Sequence, residues 1–505
     1  MTSSLEPTLF LVSGRMMAFA ATFLVPVVLA RTLSQAEFGT YKQIFLVYAT
    51  LYPIAQVGMA ESLFYFVPRA PRTAGRYIVN SALFLAAAGV ACLAVLAGGR
   101  SAVAGALGND ALRDPLALLG VFVMLMMPTA ALEIAMIARG RYRLASACYG
   151  VSDSLRAMFF LVPVLALGWG IEGLLVGAIA FAVIRLVATV AYVARSCASP
   201  CRPSGAALAT QLAYALPFGL AGLLEILQAT FHQYAVSYRF DAATFAIYAV
   251  GCFQIPLVDF VVTSATNVLM VQMSDDGRDG RPGEALAALH RTIRELGLLL
   301  LPLVGLLLVC AHDLVVLLFT TSYLASVPIF MIWSVGILLG IVPTDAVLRV
   351  YAETRFILGL NVLRLALIAA ALPWSLATFG LAGAVTVTIG ASAVTKAVAA
   401  YRVQRLMRCH LSALVPWRTL ATIALATGIA AAVALPTTAL EIATLPRLVT
   451  ATVVFTTIYL AVLVKLGVFT PAERLALARR LRAGRFAAIR TRDMRRVTRP
   501  VPQSE

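Results

Sequence analysis

Twelve ionisable side chains stand inside stretches that are otherwise apolar: Arg15, Glu61, Glu133, Arg156, Arg185, Glu225, His232, Asp259, Asp345, Arg349, Arg364 and Lys396. A charge at the centre of a bilayer costs roughly 2.5 to 3.5 kcal/mol even on insertion scales. A dozen of them cannot face acyl chains, so they must point into a hydrated interior and partly neutralise one another. Guanidinium forks bind phosphate oxygens well, and nearly all basic residues of this chain are arginine. Arg15, Arg156, Arg185, Arg364 and Lys396 are therefore the candidate substrate-binding cations. Glu61, Glu133, Glu225, Asp259 and Asp345 are the candidate acids, whose work is either to couple transport to a proton or cation or to balance the arginines.

Several of these residues carry sharper expectations. Arg15 follows Ser13-Gly14 in the middle of the first span, with no acid within helical reach, so its partner is either an anionic substrate or Glu61 of the next helix. Asp345 and Arg349 share a helix face at i,i+4 and are expected to neutralise each other. Arg185 and Lys396 fall at nearly equivalent positions of the sixth and twelfth spans, offering one cation from each half or snorkelling to the headgroups. His232 reads as a hydrogen-bonded interior histidine; with no second His at i+4, a metal is not expected there.

The elements that position these groups are fourteen apolar stretches, each about twenty residues or more, running from Thr8 to Gly467. The 505 residues are 61% hydrophobic and only 12% charged, with a mean hydropathy of +0.91, whereas soluble domains carry about 25% charge. An all-α polytopic membrane protein with fourteen transmembrane helices follows, leaving no room for a folded soluble domain. The net charge of +17 does not point to nucleic acid, because the basic residues collect in alternate loops and in the tail. Seven cysteines lie mostly in or beside apolar spans without a CxxC pair. Cys197 and Cys201 lack a companion ligand, so neither a disulfide framework nor a metal site is implied, and nothing calls for a cofactor. The first stretch lacks a basic leader and contains Arg15, so it reads as a span rather than a cleaved signal.

Eighteen Lys and Arg fall in the loops of one side, against six on the other: Arg31, Lys42, Arg100, Arg113, Arg239 and Arg447. The richer side is the cytoplasm by the positive-inside rule, which places both termini inside. The chain also repeats at an offset near 210 residues: Met127-Pro128-Thr129-Ala130 returns as Val342-Pro343-Thr344-Asp345, and Trp169-Gly170-Ile171-Glu172-Gly173 as Phe379-Gly380-Leu381-Ala382-Gly383. Six spans per repeat means both halves enter from the same side, giving parallel lobes that can rock about a site between them. The expected domains are an N-lobe over 1–202, a C-lobe over 203–412, an extra helix pair over 413–468 and a basic tail over 469–505. Leu475, Ala478, Leu481 and Phe486 among the tail arginines predict an amphipathic helix on inner-leaflet lipid. Prolines within spans, such as Pro53, Pro128, Pro163, Pro217 and Pro343, are candidate bending points.

The run Leu29-Ala30-Arg31-Thr32-Leu33-Ser34-Gln35-Ala36-Glu37-Phe38-Gly39-Thr40-Tyr41, with Tyr214-Ala215-Leu216-Pro217 and the echo Phe245-Ala246-Ile247-Tyr248, resembles the oligosaccharide flippases of bacterial polysaccharide export. These move O-antigen and exopolysaccharide repeat units within the multidrug, oligosaccharidyl-lipid and polysaccharide exporter superfamily. The resemblance covers spans one to twelve. It implies a flippase carrying undecaprenyl-diphosphate-linked oligosaccharide from the inner to the outer leaflet of the bacterial cytoplasmic membrane by alternating access, with a polysaccharide polymerase as a possible partner. Cavity cations would meet the diphosphate. Ser13 and Arg15 resemble the Ser-Arg of helix one in lipid II flippases, but the Arg-rich second helix of that group is absent, which points away from lipid II itself. Two other readings stay open: a drug exporter of the same superfamily, which would favour a more acidic cavity, and a membrane glycosyltransferase or polymerase. The latter needs sizeable external loops, and the longest here, Gly98 to Pro115, is under about twenty residues.

Overall fold

The computed structural model describes residues 23–196, 202–278 and 282–468. Arg15, the Cys197 and Cys201 pair and the tail with its expected amphipathic helix lie outside the described residues. Among the described residues every element is helical.

The N-terminal half begins with α1 (Phe23–Thr32) and α2 (Gln35–Gln56). Ser34 starts α2 as a capping box: its hydroxyl accepts from the Glu37 N–H while the Glu37 carboxylate accepts from the Ser34 N–H at 2.9 Å. The helix stops where Val57 and Gly58 take left-handed conformations, and the chain resumes as α3 (Leu63–Arg69). Then come α4 (Ala74–Gly98), α5 (Arg100–Ala106) and α6 (Arg113–Met126). At Pro128 the helix tightens into a 3-10 turn, Met127–Ala130, before α7 (Ala131–Ala138). A hairpin of α8 (Tyr142–Leu165) and α9 (Gly170–Ser196) completes this half.

The C-terminal half opens with α10 (Gly205–Arg239), α11 (Ala242–Gly251), α12 (Pro256–Arg278) and α13 (Pro282–Phe319). A long apolar crossing follows as α14 (Val327–Val335), a 3-10 segment Gly336–Gly340 and α15 (Thr344–Val350), interrupted just before Pro343 and Thr344. The 53 residues of α16 (Thr354–Leu406) would extend about 80 Å as one straight helix, against a bilayer core of about 30 Å. Gly380 resolves this by taking φ 57° and ψ −140°, a conformation open essentially to glycine alone, and divides α16 into two single crossings. The chain continues with α17 (Leu411–Leu414), α18 (Trp417–Ala434) and α19 (Thr444–Lys465).

Ten helical segments among the described residues are long and apolar enough to cross a bilayer, and two shorter apolar helices accompany them. This is a multi-pass membrane protein. The ten segments differ from the fourteen expected spans for local reasons. The first expected span lies mostly outside the described residues, the second is broken at Val57–Ser62, the eighth is broken between α11 and α12, and the eleventh and twelfth run together through Gly380. Of the expected bending points, Pro128 and Pro343 coincide with interruptions, whereas Pro163 and Pro217 lie inside continuous helices.

One apolar core is built mainly from residues of α1 to α9, including Ile44, Leu63, Leu85 and Phe122. A second is built from α12 to α17 and the segment following α17, including Leu269, Ile293, Val347 and Val403. A third, smaller one joins α18 and α19 through Ile423, Ala426 and Phe455, against Leu298 and Leu301 of α13. Arg447 anchors this pair to the body through two bonds to Asp313, at 2.5 and 2.8 Å. Helix α10 links the halves: near its start Gln211 donates to Ser81 at 3.1 Å, and near its end Ser237 accepts from Gln43 at 2.8 Å. Gly39 permits α2 to lie directly on the start of α11, because a Cβ there would overlap the Ala242 carbonyl. At the same end Arg31 donates to the carbonyls of Leu317 and Leu318 in the last turn of α13.

Candidate functional site

Two acid–cation pairs, one in each half of the chain, are built from similar local parts. In the N-terminal half, the interruption at Pro128 leaves Thr129 and, one turn later, Glu133 facing α9. Arg185 of α9 donates through Nη2 to Glu133 at 2.8 Å and through Nε to Thr129 at 3.0 Å. In the C-terminal half, Pro343 is followed by Thr344 and Asp345. Lys396, in the second part of α16, donates to Asp345 at 2.8 Å and to Thr344 at 3.4 Å. Each pair thus uses a proline that ends one helical segment, the threonine after it, an acid within the next turn and a cation from the far arm of a hairpin.

Their surroundings differ. The Glu133 side chain is 3% exposed and that of Arg185 15%, while Asp345 is 53% exposed and Lys396 28%. Ser152 of α8 also accepts from Arg185, and the Cys148 thiol donates to Glu133 at 3.3 Å. Tyr48 and Tyr52 stack at 5.1 Å beside this network, and Tyr52 feels the charges of Glu133, Arg185 and Glu61. Next to it, Arg156 pairs with Asp153 at 2.7 Å. The N-terminal network is closed on itself.

The C-terminal pair borders open space. The 3-10 segment Gly336–Gly340 and the linker Phe253–Ile255 wall a cavity of about 260 Å³ together with Asp259 and Arg364. A second cavity of about 270 Å³ adjoins it, lined by Asp345, Asn361, Arg364, Thr395 and Lys396. The two share Gly336, Leu339, Gly340, Arg364 and Ser392, and lie near the lower end of the usual ligand-pocket range of roughly 300–1,000 Å³. Backbone that leaves the helical ladder at membrane depth is tolerated where it lines such a space. Arg364 stands on the wall common to both, and its Nε is buried without an acceptor. Asp345 and Glu225 both act on it electrostatically from neighbouring helices.

The predicted site residues therefore separate into groups. Arg364, Lys396, Asp259 and Asp345 come together around the C-terminal cavities, with Glu225 within electrostatic reach. Arg185 and Glu133 meet in the closed N-terminal network, with Arg156 nearby on α8. Glu61 sits in the break between α2 and α3, one carboxylate oxygen buried without a partner; Arg15 lies outside the described residues. The expected Asp345–Arg349 pair does not form, because Lys396 takes the Asp345 carboxylate from across the interior. His232 bonds the Tyr248 hydroxyl at 2.6 Å in a buried setting. Sequence reasoning missed Asp153, Ser152 and Asn361, and passed over the threonines; the repeated Pro-Thr with an acid in the following turn is the signal that would have found Thr129 and Thr344.

The sequence matches the family described as polysaccharide biosynthesis protein over residues 28–328, more than half of the chain. No curated protein matches it in sequence. Among solved structures the fold is similar to the lipid II flippase MurJ in an inward closed conformation, with a TM-score of 0.71 at 10% identity, covering 92% of this chain and 100% of that one. It is similar as well to an inward-facing multidrug resistance MATE family transporter of the MOP superfamily, with a TM-score of 0.60 at 14% identity, covering 80% and 98%. A MOP superfamily transporter from Pyrococcus furiosus, described by the reverse polarity of its binding pocket, gives a TM-score of 0.56 at 15% identity over 81% and 94%. At these identities the likeness is one of fold.

Proposed function

From the premise that this chain belongs to the polysaccharide biosynthesis protein family, we propose that it flips undecaprenyl-diphosphate-linked oligosaccharide repeat units from the inner to the outer leaflet of the bacterial cytoplasmic membrane. The observation that carries this reading is an intramembrane cavity lined by the two cations Arg364 and Lys396, with the Arg364 Nε left unpartnered in its wall. A diphosphate supplies the oxygens such a guanidinium lacks.

The reading comprises fourteen crossings, arranged as parallel six-helix lobes over 1–202 and 203–412, a helix pair over 413–468 and a cytoplasmic tail over 469–505. The matched acid–cation pairs of the two halves support the repeat. Rocking of one lobe against the other exposes the interior alternately to each leaflet. Arg15, Arg156, Arg185, Arg364 and Lys396 supply the positive interior; Arg364 and Lys396 face the cavities and receive the headgroup, while Arg185 holds the N-lobe together. Glu61, Glu133, Glu225, Asp259 and Asp345 balance these charges or couple transport to a cation. The chain makes and breaks no covalent bond, since the loops outside the membrane are too short to build an active site, and a polysaccharide polymerase acts on what it delivers.

Reconstitution in liposomes with a fluorescent undecaprenyl-diphosphate oligosaccharide tests this, with transfer read by an impermeant glycosidase. Wild-type protein is expected to deliver substrate well above protein-free liposomes, and Arg364→Ala to slow delivery about tenfold or more, the worth of a charge-assisted hydrogen bond. Wild-type transfer at the protein-free rate would refute the assignment.

A further inference from the structure

Asp345 has two cations within its reach and uses one. It stands four residues before Arg349 on α15, the spacing at which helical side chains meet, yet its carboxylate is bonded to Lys396 of α16. Both Asp345 and Arg349 are exposed. Lys396 lines the second cavity, where Arg364 is the other cation and Asp345 the one acid among the lining residues. With Asp345 turned away, that cavity would present two positive charges, ringed by the neutral donors Asn361, Ser392 and Thr395. Asp259 borders only the neighbouring cavity.

The geometry points to a counter-ion exchange: a diphosphate group entering the cavity takes Lys396 and Arg364 as its ligands, and Asp345, released from Lys396, pairs with Arg349. The identity of the anion rests on the flippase reading; the exchange itself rests on the placement of these four side chains. An exposed carboxylate is a weak competitor for a lysine when a doubly bridging phosphate arrives. Moving Asp345 to its own helix keeps its charge neutralised, and it unties α15 from the second arm of α16. Occupancy of the cavity thereby changes which helices are bonded to each other. In the N-terminal half the equivalent acid has no such alternative, since Glu133 is followed at i+4 by Ile137.

The test uses the full chain in lipid nanodiscs, with inorganic pyrophosphate and nanodisc-borne undecaprenyl diphosphate as separate probes in a calorimetric or displacement titration. Arg364→Ala and Lys396→Ala are expected to weaken binding about tenfold or more, with Lys396→Arg retaining it. Asp345→Asn, which releases Lys396 without altering shape, is expected to tighten binding up to about fivefold. Arg349→Ala, outside the cavity lining, is expected to weaken binding about twofold in the wild-type background and not in Asp345→Asn. Binding by both probes with the lipid tighter assigns the site to a lipid headgroup; binding by pyrophosphate alone assigns it to a free anion; binding by neither overturns it. An Arg349→Ala effect of equal size with and without Asp345, or no tightening in Asp345→Asn, overturns the exchange. If this pattern appears while wild-type liposomes flip no lipid-linked sugar, the flippase reading fails and the anion site stands. Unchanged transfer in Arg364→Ala and Lys396→Ala gives the reverse.

Discussion

Glu133–Arg185 and Asp345–Lys396 are built from the same local parts, and they sit in opposite energetic regimes. The first is enclosed by Thr129, Ser152 and Cys148, so the carboxylate and guanidinium of the pair itself are each bonded on more than one side. Removing one member of such a pair leaves an uncompensated buried charge, typically at a cost of about 3–5 kcal/mol. The second pair stands at the rim of a cavity with its carboxylate half exposed, where an ion pair contributes about 0–1 kcal/mol. The lesson is that the same local parts can serve opposite ends. One half encloses its pair, and the other leaves its pair beside an open cavity.

The contrast breaks most directly at the cations. Arg185→Ala is expected to destabilise the fold by about 3–5 kcal/mol and Lys396→Ala by no more than about 1 kcal/mol, read as detergent-solubilised thermal and denaturant transitions. Equal losses would abolish the distinction. Gly380→Ala comes next: forcing a Cβ onto a glycine-only conformation costs about 1–3 kcal/mol, and because that turn sets the arm carrying Lys396, pyrophosphate binding should weaken along with stability. Unchanged stability in this variant would show that the arm is positioned by its packing instead. The smallest effect sharpens the comparison through the threonines. Thr129→Val removes the acceptor of a buried guanidinium bond and should cost about 1–2 kcal/mol, whereas Thr344→Val loses only a 3.4 Å contact to a partly exposed lysine and should leave the melting transition within about 0.5 kcal/mol of wild type.

How much of this was legible in the sequence depends on which dimension the information occupies. Apolar length is one-dimensional, so the ten long segments found among the described residues and the boundary near Gly380 could be read directly. Arg185 and Lys396 could be singled out as interior cations, but the acids they meet could not. Glu133 lies four residues after Thr129 and Asp345 only one after Thr344; a linear alignment separates them, while a helix turn brings both onto the same face. The expected Asp345–Arg349 pair failed for a related reason. Neighbours at i,i+4 stabilise an exposed helix by about 0.2–0.5 kcal/mol, too little to hold a carboxylate against a lysine offered from the opposite wall. The break at Val57–Ser62 was hidden because Pro53, the obvious suspect, is absorbed inside α2, and the left-handed residues after it give the actual stop.

Arg31 reaches from the N-terminal half to the final carbonyls of α13, groups that no helix can satisfy from within and that carry the negative end of its dipole. Any movement that parts the halves at this rim uncaps a helix and strips a guanidinium of its acceptors in one stroke. One exposed side chain is thereby both a tertiary tie between the two halves and the terminus of a helix.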